Sequence, residues 1–371
     1  MNRLLIIYTV CFIGFISCSK KNKITQDFYD KNVETFVLQG VDIKTNDPDL
    51  AIIKIIGLHD SIMYMESLAR DTLINVYRLR NDSLIRSHRF LNRGQGPYEI
   101  GVFGSLYDKK SKTLSFFENE RAFTKGYVID LNSKNGTQNK ESWKQLDFSG
   151  IKEYRFGHDF TYISDSLLLA IGGKYNNKEI LSVIHLNNNK GEATSLDLWP
   201  DDGYEDNPFV KQSIYMDNAL ILKNSFLNKY LYVSMMGKYM EIFQIKDNQI
   251  VNRQAICEIY PEYEAEEDGL NYKTEKETDR GFYVYTTDSL IYARPIEFSM
   301  EELRTGGNYK GYGLGFNENV HVFDWNGNPI KKFELDTPFH SFIVDDKDSI
   351  MYTLTTDLNT DESLVKKYLL K

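Results

Sequence analysis

From residue 33 onward the chain alternates short apolar runs with brief polar breaks. Nowhere does it hold the three-to-four-residue period of a long amphipathic helix. The runs are rich in Ile, Val, Tyr and Phe, which suit a pleated surface, and they are bounded by Asp, Asn, Ser and Gly, which suit turns. One unit recurs, a turn followed by an apolar strand. It appears as Asp60-Ser61-Ile62-Met63-Tyr64, Asp165-Ser166-Leu167-Leu168-Leu169, Asn228-Lys229-Tyr230-Leu231-Tyr232, Asp288-Ser289-Leu290-Ile291-Tyr292 and Asp348-Ser349-Ile350-Met351-Tyr352. A looser copy is Lys112-Thr113-Leu114-Ser115-Phe116. The landmark positions 60, 112, 165, 228, 288 and 348 lie 52, 53, 63, 60 and 60 residues apart. A near-constant period of this length, built from short strands, predicts an all-β six-bladed propeller over residues 32–371.

Each landmark is expected at the hairpin between the two innermost strands of a blade. In the first blade the pattern predicts strands near 51–58, 62–67, 72–79 and 84–90. In the fifth, Val320–Asp324 and Pro329–Leu335 flank Trp325-Asn326-Gly327-Asn328, whose Asn-Gly step is a strong hairpin signal. The sixth copy is truncated, since Leu364–Leu370 supplies a third strand and no fourth. Ahead of the first blade, Val33–Leu38 is an orphan strand. A terminal strand lent to the last blade would close the ring and remove an unpaired edge. The orphan is the candidate.

The first eighteen residues differ from the rest. Arg3 gives a positive start, Leu4–Ile16 is an apolar stretch of a signal-peptide length, and Ser17-Cys18 ends it. The stretch is short for a membrane span of about 20 residues. Phe15-Ile16-Ser17-Cys18 resembles the lipobox of bacterial lipoproteins, with Phe15 in place of the usual Leu. The resemblance implies a signal peptide at 1–17, acylation of Cys18 and a tether at 18–31. Several acyl chains are needed for firm anchoring, because each buried CH₂ contributes only about 0.8 kcal/mol. The basic run Lys20-Lys21-Asn22-Lys23 favours an outer-membrane anchor facing the periplasm.

Composition narrows the partners. A net charge of −9 argues against nucleic acid, which needs a clustered basic face. Hydrophobic residues make up 42% of the 371-residue chain, enough for a large core. Beyond Cys11 and Cys18 only Cys257 remains, so the body has neither a disulfide nor a cysteine metal cluster.

After the first blade comes Phe90-Leu91-Asn92-Arg93-Gly94-Gln95-Gly96-Pro97-Tyr98-Glu99. This G-x-G-P-x-E loop, with the lipobox and the blade period, resembles the TolB-like six-bladed propeller lipoproteins. The resemblance implies fold and envelope address and supplies no reaction. Physically, two glycines and a proline make a rigid crossover in which Glu99 can cap neighbouring amides.

Chemistry is harder to find. The six histidines form no H-x-x-x-H or H-E-x-x-H pair, and no G-x-S-x-G elbow or Walker loop appears, so neither a metal motif nor a cofactor motif is evident. His185 and His321 alternate with apolar neighbours and read as ordinary strand residues. Topology puts crossovers between blades on the same face as the loop joining strands two and three. The long loops 91–101, 199–209, 260–281 and 295–318 therefore share one rim, rich in aromatics and carboxylates. A protein, peptide or glycan ligand is expected there, touching Arg93, Glu99, Arg304, Tyr309 and Tyr312. The alternative is a metal-dependent, lactonase-like propeller hydrolase or lyase, whose scattered Glu, Asn and Asp ligands leave no motif.

The anchor is directly testable. A Cys18→Ser protein should lose labelling by a clickable fatty acid and move to the soluble fraction. Retained label and membrane association would refute the lipobox assignment.

Overall fold

The computed structural model describes residues 33–370 apart from 46, 48–51, 68–70, 119–124, 134, 152, 176, 187–190, 205–206, 218, 268, 270, 275–280, 299–301, 303–304, 308, 313–314 and 361. Six four-stranded antiparallel sheets follow one another. Blade 1 comprises Ile52–His59, Ile62–Ser67, Thr72–Arg80 and Ser83–Arg93. Blade 2 comprises Phe103–Asp108, Thr113–Glu118, Lys125–Asp130 and Lys144–Asp147. Blade 3 comprises Tyr154–Ser164, Leu167–Lys174, Leu181–His185 and Glu192–Leu196. Blade 4 comprises Ala219–Asn224, Lys229–Ser234, Lys238–Lys246 and Gln249–Ile259. Blade 5 comprises Phe282–Thr286, Leu290–Pro295, Asn317–Asp324 and Pro329–Phe339. Blade 6 takes Ser341–Val344, Ile350–Thr356 and Ser363–Leu369 from the end of the chain and Val41–Thr45 from its beginning.

The first strand of each blade lies innermost, and these six strands contact one another in turn, blade 1 on 2 and so on until 6 meets 1. The ring is closed. All six landmark turns fall between the two inner strands of their blades. The backbone at Asp60, Lys112, Asn228 and Asp348 is left-handed, a conformation that Asn and Asp accept more readily than most residues. The second strands are buried almost throughout, because blades stack face to face and cover both sides. Blades 3 and 4 meet through Leu169, Val183, Tyr230 and Tyr232, and blades 4 and 5 through Val233, Met240, Ala293 and Phe323.

Closure differs in detail from the sequence expectation. The orphan strand does not fill blade 6. Thr35–Leu38 pairs in parallel with the outer strand of blade 5, from Thr35 opposite Lys332 to Leu38 opposite Leu335, as a fifth strand. The chain then passes Gly40, whose Cα lies so close to the Tyr368 ring that a Cβ would sit 2.6 Å from it. Val41–Thr45 follows and supplies the missing fourth strand, antiparallel to Ser363–Leu369 with Ile43 opposite Val365. Its far end also pairs in parallel with blade 1, Lys44 with Ser83 and Thr45 with Leu84. Ile43 is the buried residue of this strand and packs with Ile55, Met63, Leu354 and Val365 between blades 6 and 1. Val41-Asp42-Ile43-Lys44-Thr45 has only two apolar positions, of which Ile43 alone is buried, a weaker strand signal than that of the orphan, which looked the better candidate.

Two buried carboxylates hold the irregular parts. Asp47 accepts from the Tyr77 hydroxyl at 2.7 Å and from Arg86 Nη1 at 2.6 Å, fixing the closing strand to blade 1. The crossover from blade 3 to blade 4 contains a helix the strand pattern did not predict, α1 (Pro208–Met216), capped by Asn207, whose Oδ1 accepts from Val210 N at 3.1 Å. Asp202 takes Lys211 Nζ at 2.6 Å and the hydroxyls of Tyr215 and Tyr263 at 3.0 Å each, binding α1 to the next crossover.

If Val41–Thr45 closes the ring, Ile43→Ala should cost about 2–4 kcal/mol in urea denaturation. Val37→Ala, at a site 66% exposed, should stay within about 0.5 kcal/mol. Equal effects would place closure elsewhere.

Candidate functional site

Between the innermost strands runs a channel that holds a cavity of about 450 Å³. Blades 1 to 5 line it with their inner strands, and Asp346, from the inner turn of blade 6, reaches its mouth. The mouth opens among the inner hairpins, at Lys109, Lys110, Phe226, Asp288 and Asp346, on the face opposite the long crossovers. A second hollow of about 390 Å³ lies on the flank, where Lys238 of blade 4 meets Pro295, His321 and Lys331 of blade 5 beneath Val33 and Thr35. Burial, with Lys332 and Lys238 nearby, lowers the His321 pKa to about 4, so this imidazole is neutral at pH 7. The flank hollow draws on few elements; the channel gathers side chains from the whole ring.

The deep part of the channel carries charge. Lys54 reaches in from blade 1, and its Nζ donates to Ser105 Oγ of blade 2 at 3.4 Å. Asp159 faces it from blade 3, with Oδ2 accepting from Ile221 N of blade 4 at 2.7 Å. Tyr283 of blade 5 completes this level. Enclosure lifts the Asp159 carboxyl to about 6, against the opposing pull of Lys54 and the amides of Ile221 and Phe160. Burial acts to lower the Lys54 pKa, but Tyr283, Asp159 and Glu66 together raise it, so the ammonium stays charged.

Above this level the walls are aromatic. Tyr107, Tyr162 and Tyr285 line the channel, and burial raises the pKa of each phenol, keeping all three neutral. Tyr107 lies over Gly57, where a Cβ would sit 2.5 Å from its ring, so that glycine is what admits the tyrosine. Its hydroxyl is 3.4 Å from His59 Nδ1. At the mouth Lys109 spans from blade 2 to Asp346 at 2.6 Å and Asp288 at 3.5 Å. Exposed pairs of this kind contribute about 1 kcal/mol or less. Phe226 stands beside it, 81% exposed.

Behind Tyr283 lies a buried guanidinium. Arg294 stacks on the rings of Tyr283 and Phe339 at 5.6 and 5.8 Å and donates to Gly315 O and, at 3.2 Å, to His340 O. Burial lowers its pKa to about 10, still charged at pH 7. Arg294 thus ties the long loop of blade 5 to the crossover into blade 6 and backs the channel wall. Among the described residues no group of three or more His, Cys, Asp or Glu side chains is placed to hold a metal ion.

Of the residues singled out in the sequence, Arg93, Glu99, Tyr309 and Tyr312 sit on the other face. Glu99 caps its own turn, Oε2 accepting from Gly96 N at 2.9 Å, while Arg93 is exposed at the end of its strand. Tyr309 and Tyr312 face each other across a two-residue turn, with backbone bonds of 3.0 and 2.8 Å. The Tyr309 hydroxyl donates to Glu318 at 2.8 Å, and Tyr312 stacks on Phe316 at 5.3 Å. Both tyrosines are used within their own loop. Arg304 and Cys18 lie outside the described residues. The channel residues escaped sequence reading, although one signal was present: Lys54 interrupts Ile52-Ile53-Lys54-Ile55-Ile56, a charge within an otherwise apolar inner strand.

The Asp159 environment predicts a pH effect with a definite sign. The folded protein holds this proton more tightly than the unfolded chain, so the group favours folding below about pH 4, and that contribution disappears as pH rises through about 6. Asp159→Asn should therefore gain about 2–3 kcal/mol on wild type between pH 4 and pH 7.5 in urea titrations. A constant difference across that range would refute the raised pKa.

Comparison with known proteins agrees with this architecture. A model of the TolB-like 6-blade propeller-like family matches residues 53–347. A DUF4221 family member from Bacteroides vulgatus superposes with a TM-score of 0.51 at 12% identity, over 90% of this chain and 96% of that one. A protein from Bacteroides fragilis gives 0.49 at 12% identity, over 91% and 99%. No curated protein matches the sequence. At such identities the structural likeness speaks to fold alone, but the family match spans most of the chain: this protein belongs to the TolB-like six-bladed propeller family.

Proposed function

We propose that the protein is a cell-envelope binding module, lipid-anchored through Cys18, whose ligand enters the central channel from the hairpin face. One observation carries this reading: in a closely packed ring, the cavity of about 450 Å³ combines aromatic walls with a few converging polar groups. That is the form of a small-ligand site. Contact thus moves from the rim, where Tyr309 and Tyr312 pack into their own loop, to the channel. The ligand is a small molecule or the end of a peptide or glycan. A hydrolytic reading has one point in its favour, since an enclosed carboxyl titrating near 6 suits proton transfer.

Thermal shift measurements test the binding reading with L-phenylalanine, 3-phenylpropionate, phenethylamine, glucuronate and glucose at millimolar concentration. At least one should raise the wild-type Tm. The shift should vanish in the channel-filling variant Leu222→Trp, shrink in Phe226→Ala and persist in Tyr309→Ala. No shift in wild type, or one unchanged in both channel variants, would overturn the proposal.

A further inference from the structure

We infer that the channel is built for an α-amino acid with a flat apolar side chain, its carboxylate held by Lys54 and its ammonium by Asp159. This rests on the channel reading above. The starting observation is that the two charges are neighbours without being partners. Among the described residues neither forms an ion pair within 4 Å, and the lysine ammonium has a single hydrogen bond, at 3.4 Å to Ser105. Three donors on that nitrogen leave two to be met. Asp159 is likewise held by backbone amides, leaving acceptor capacity free towards the channel.

Asp159 and Glu66 hold the Lys54 ammonium charged from a distance, without contact, and charged groups held this way gain further from a hydrogen-bonded partner. A ligand that compensates both charges gains most. A simple anion would satisfy Lys54 but face the Asp159 carboxylate; a simple cation would satisfy Asp159 but face the Lys54 ammonium. A zwitterion answers both, and its opposite charges lie on one carbon, matching two groups near each other on blades 1 and 3. Its side chain would then point towards the mouth, among Tyr107, Tyr162 and Tyr285, where flat apolar surface stacks well. Phe226 would cover its outer end.

The pH dependence separates this ligand from its analogues. The titratable groups that share the channel with Asp159 are Lys54, Tyr107, Asp108, Tyr162, Lys223, Tyr283 and Tyr285, with Lys109, Lys110, Asp288 and Asp346 at the mouth, and Glu66 acts on Lys54 from blade 1. Burial keeps the phenols of Tyr107 and Tyr285 protonated. Burial also lowers the Lys223 pKa, and Lys223 Nζ is engaged with Ile163 O at 2.9 Å. Asp159, lifted to about 6, changes charge between pH 5 and pH 7.5, and burial also raises the Glu66 pKa on the far side of Lys54. Protonating Asp159 removes the ammonium's partner and relieves repulsion of a lone carboxylate.

Isothermal titration calorimetry on the full mature protein provides the test. L-phenylalanine should bind, with 3-phenylpropionate and phenethylamine each weaker by about tenfold or more. Between pH 7.5 and pH 5 the L-phenylalanine affinity should fall and that of 3-phenylpropionate should rise. Lys54→Met should weaken L-phenylalanine, and Asp159→Asn should weaken it while strengthening 3-phenylpropionate. If either substitution prevents folding, the opposite pH trends of the two ligands on wild type remain as the deciding measurement. Equal binding of 3-phenylpropionate, or of phenethylamine, would reduce the site to a plain anion or cation site and overturn the inference. Channel-dependent stabilisation by glucuronate or glucose alone would also overturn it and leave the channel reading intact. No binding by any probe would remove both.

Discussion

The ring depends on one short strand. Blades of a propeller are held by packing against neighbours on both sides, so the first and last blades are stable only if the circle is joined. Val41–Thr45 joins it twice, completing blade 6 and pairing at its end with the outer strand of blade 1. The contacts that reinforce it are of two kinds. Ile43 enters the apolar interface between the two blades, and Asp47 is satisfied by Tyr77 and Arg86 just beyond. Removing either partner leaves the buried Asp47 carboxylate short of a donor, a loss of about 1–3 kcal/mol. The preceding strand, Thr35–Leu38, adds a parallel edge to blade 5, so the same short stretch of chain touches three blades in succession.

Closure also makes the channel. Six inner strands brought round a circle cannot fill its axis completely, and their axial side chains meet only because the ring is shut. The sides of the blades are apolar and tightly packed, with large rings such as Tyr230, Tyr232 and Phe323 fully buried. The axis breaks that rule, with Lys54 and Asp159 deep inside and tyrosines above. Local departures from otherwise consistent packing are where function is expected. Arg294 extends the same logic into the wall. A buried guanidinium stacked on Tyr283 and bonded to two carbonyls stiffens the channel's side against the long loop of blade 5.

The loop-rich face has a different role in the structure. Several of its residues interact with one another. Tyr204 stacks on Tyr263 at 4.4 Å, Asn207 donates to Gly269 O at 3.0 Å, and Asp202 gathers Lys211, Tyr215 and Tyr263. Length and aromatic content alone made these loops look like a binding rim. Aromatics such as Tyr204 and Tyr263 give these crossovers small cores of their own, and Glu99 caps the glycine turn after blade 1.

By itself the sequence determined what is local. Turn residues followed by apolar runs, repeated at nearly equal spacing, set the blade count and the position of every inner hairpin, because turn chemistry and strand burial are both read from neighbours in the chain. The same holds for the hairpin at Asn326-Gly327, where Gly327 adopts the positive φ that the turn requires. Tertiary structure decided what depends on distant segments. Which N-terminal strand closes the ring turned on Ile43 meeting Val365, more than 300 residues away. Where α1 docks turned on Asp202, a buried carboxylate of its preceding loop that holds Lys211, Tyr215 and Tyr263. That Lys54, Ser105, Asp159 and Tyr283 form one site turned on four blades arriving at a common axis. In sequence each of these looks like an isolated polar or aromatic residue in a strand; only the closed circle brings their side chains together in the channel.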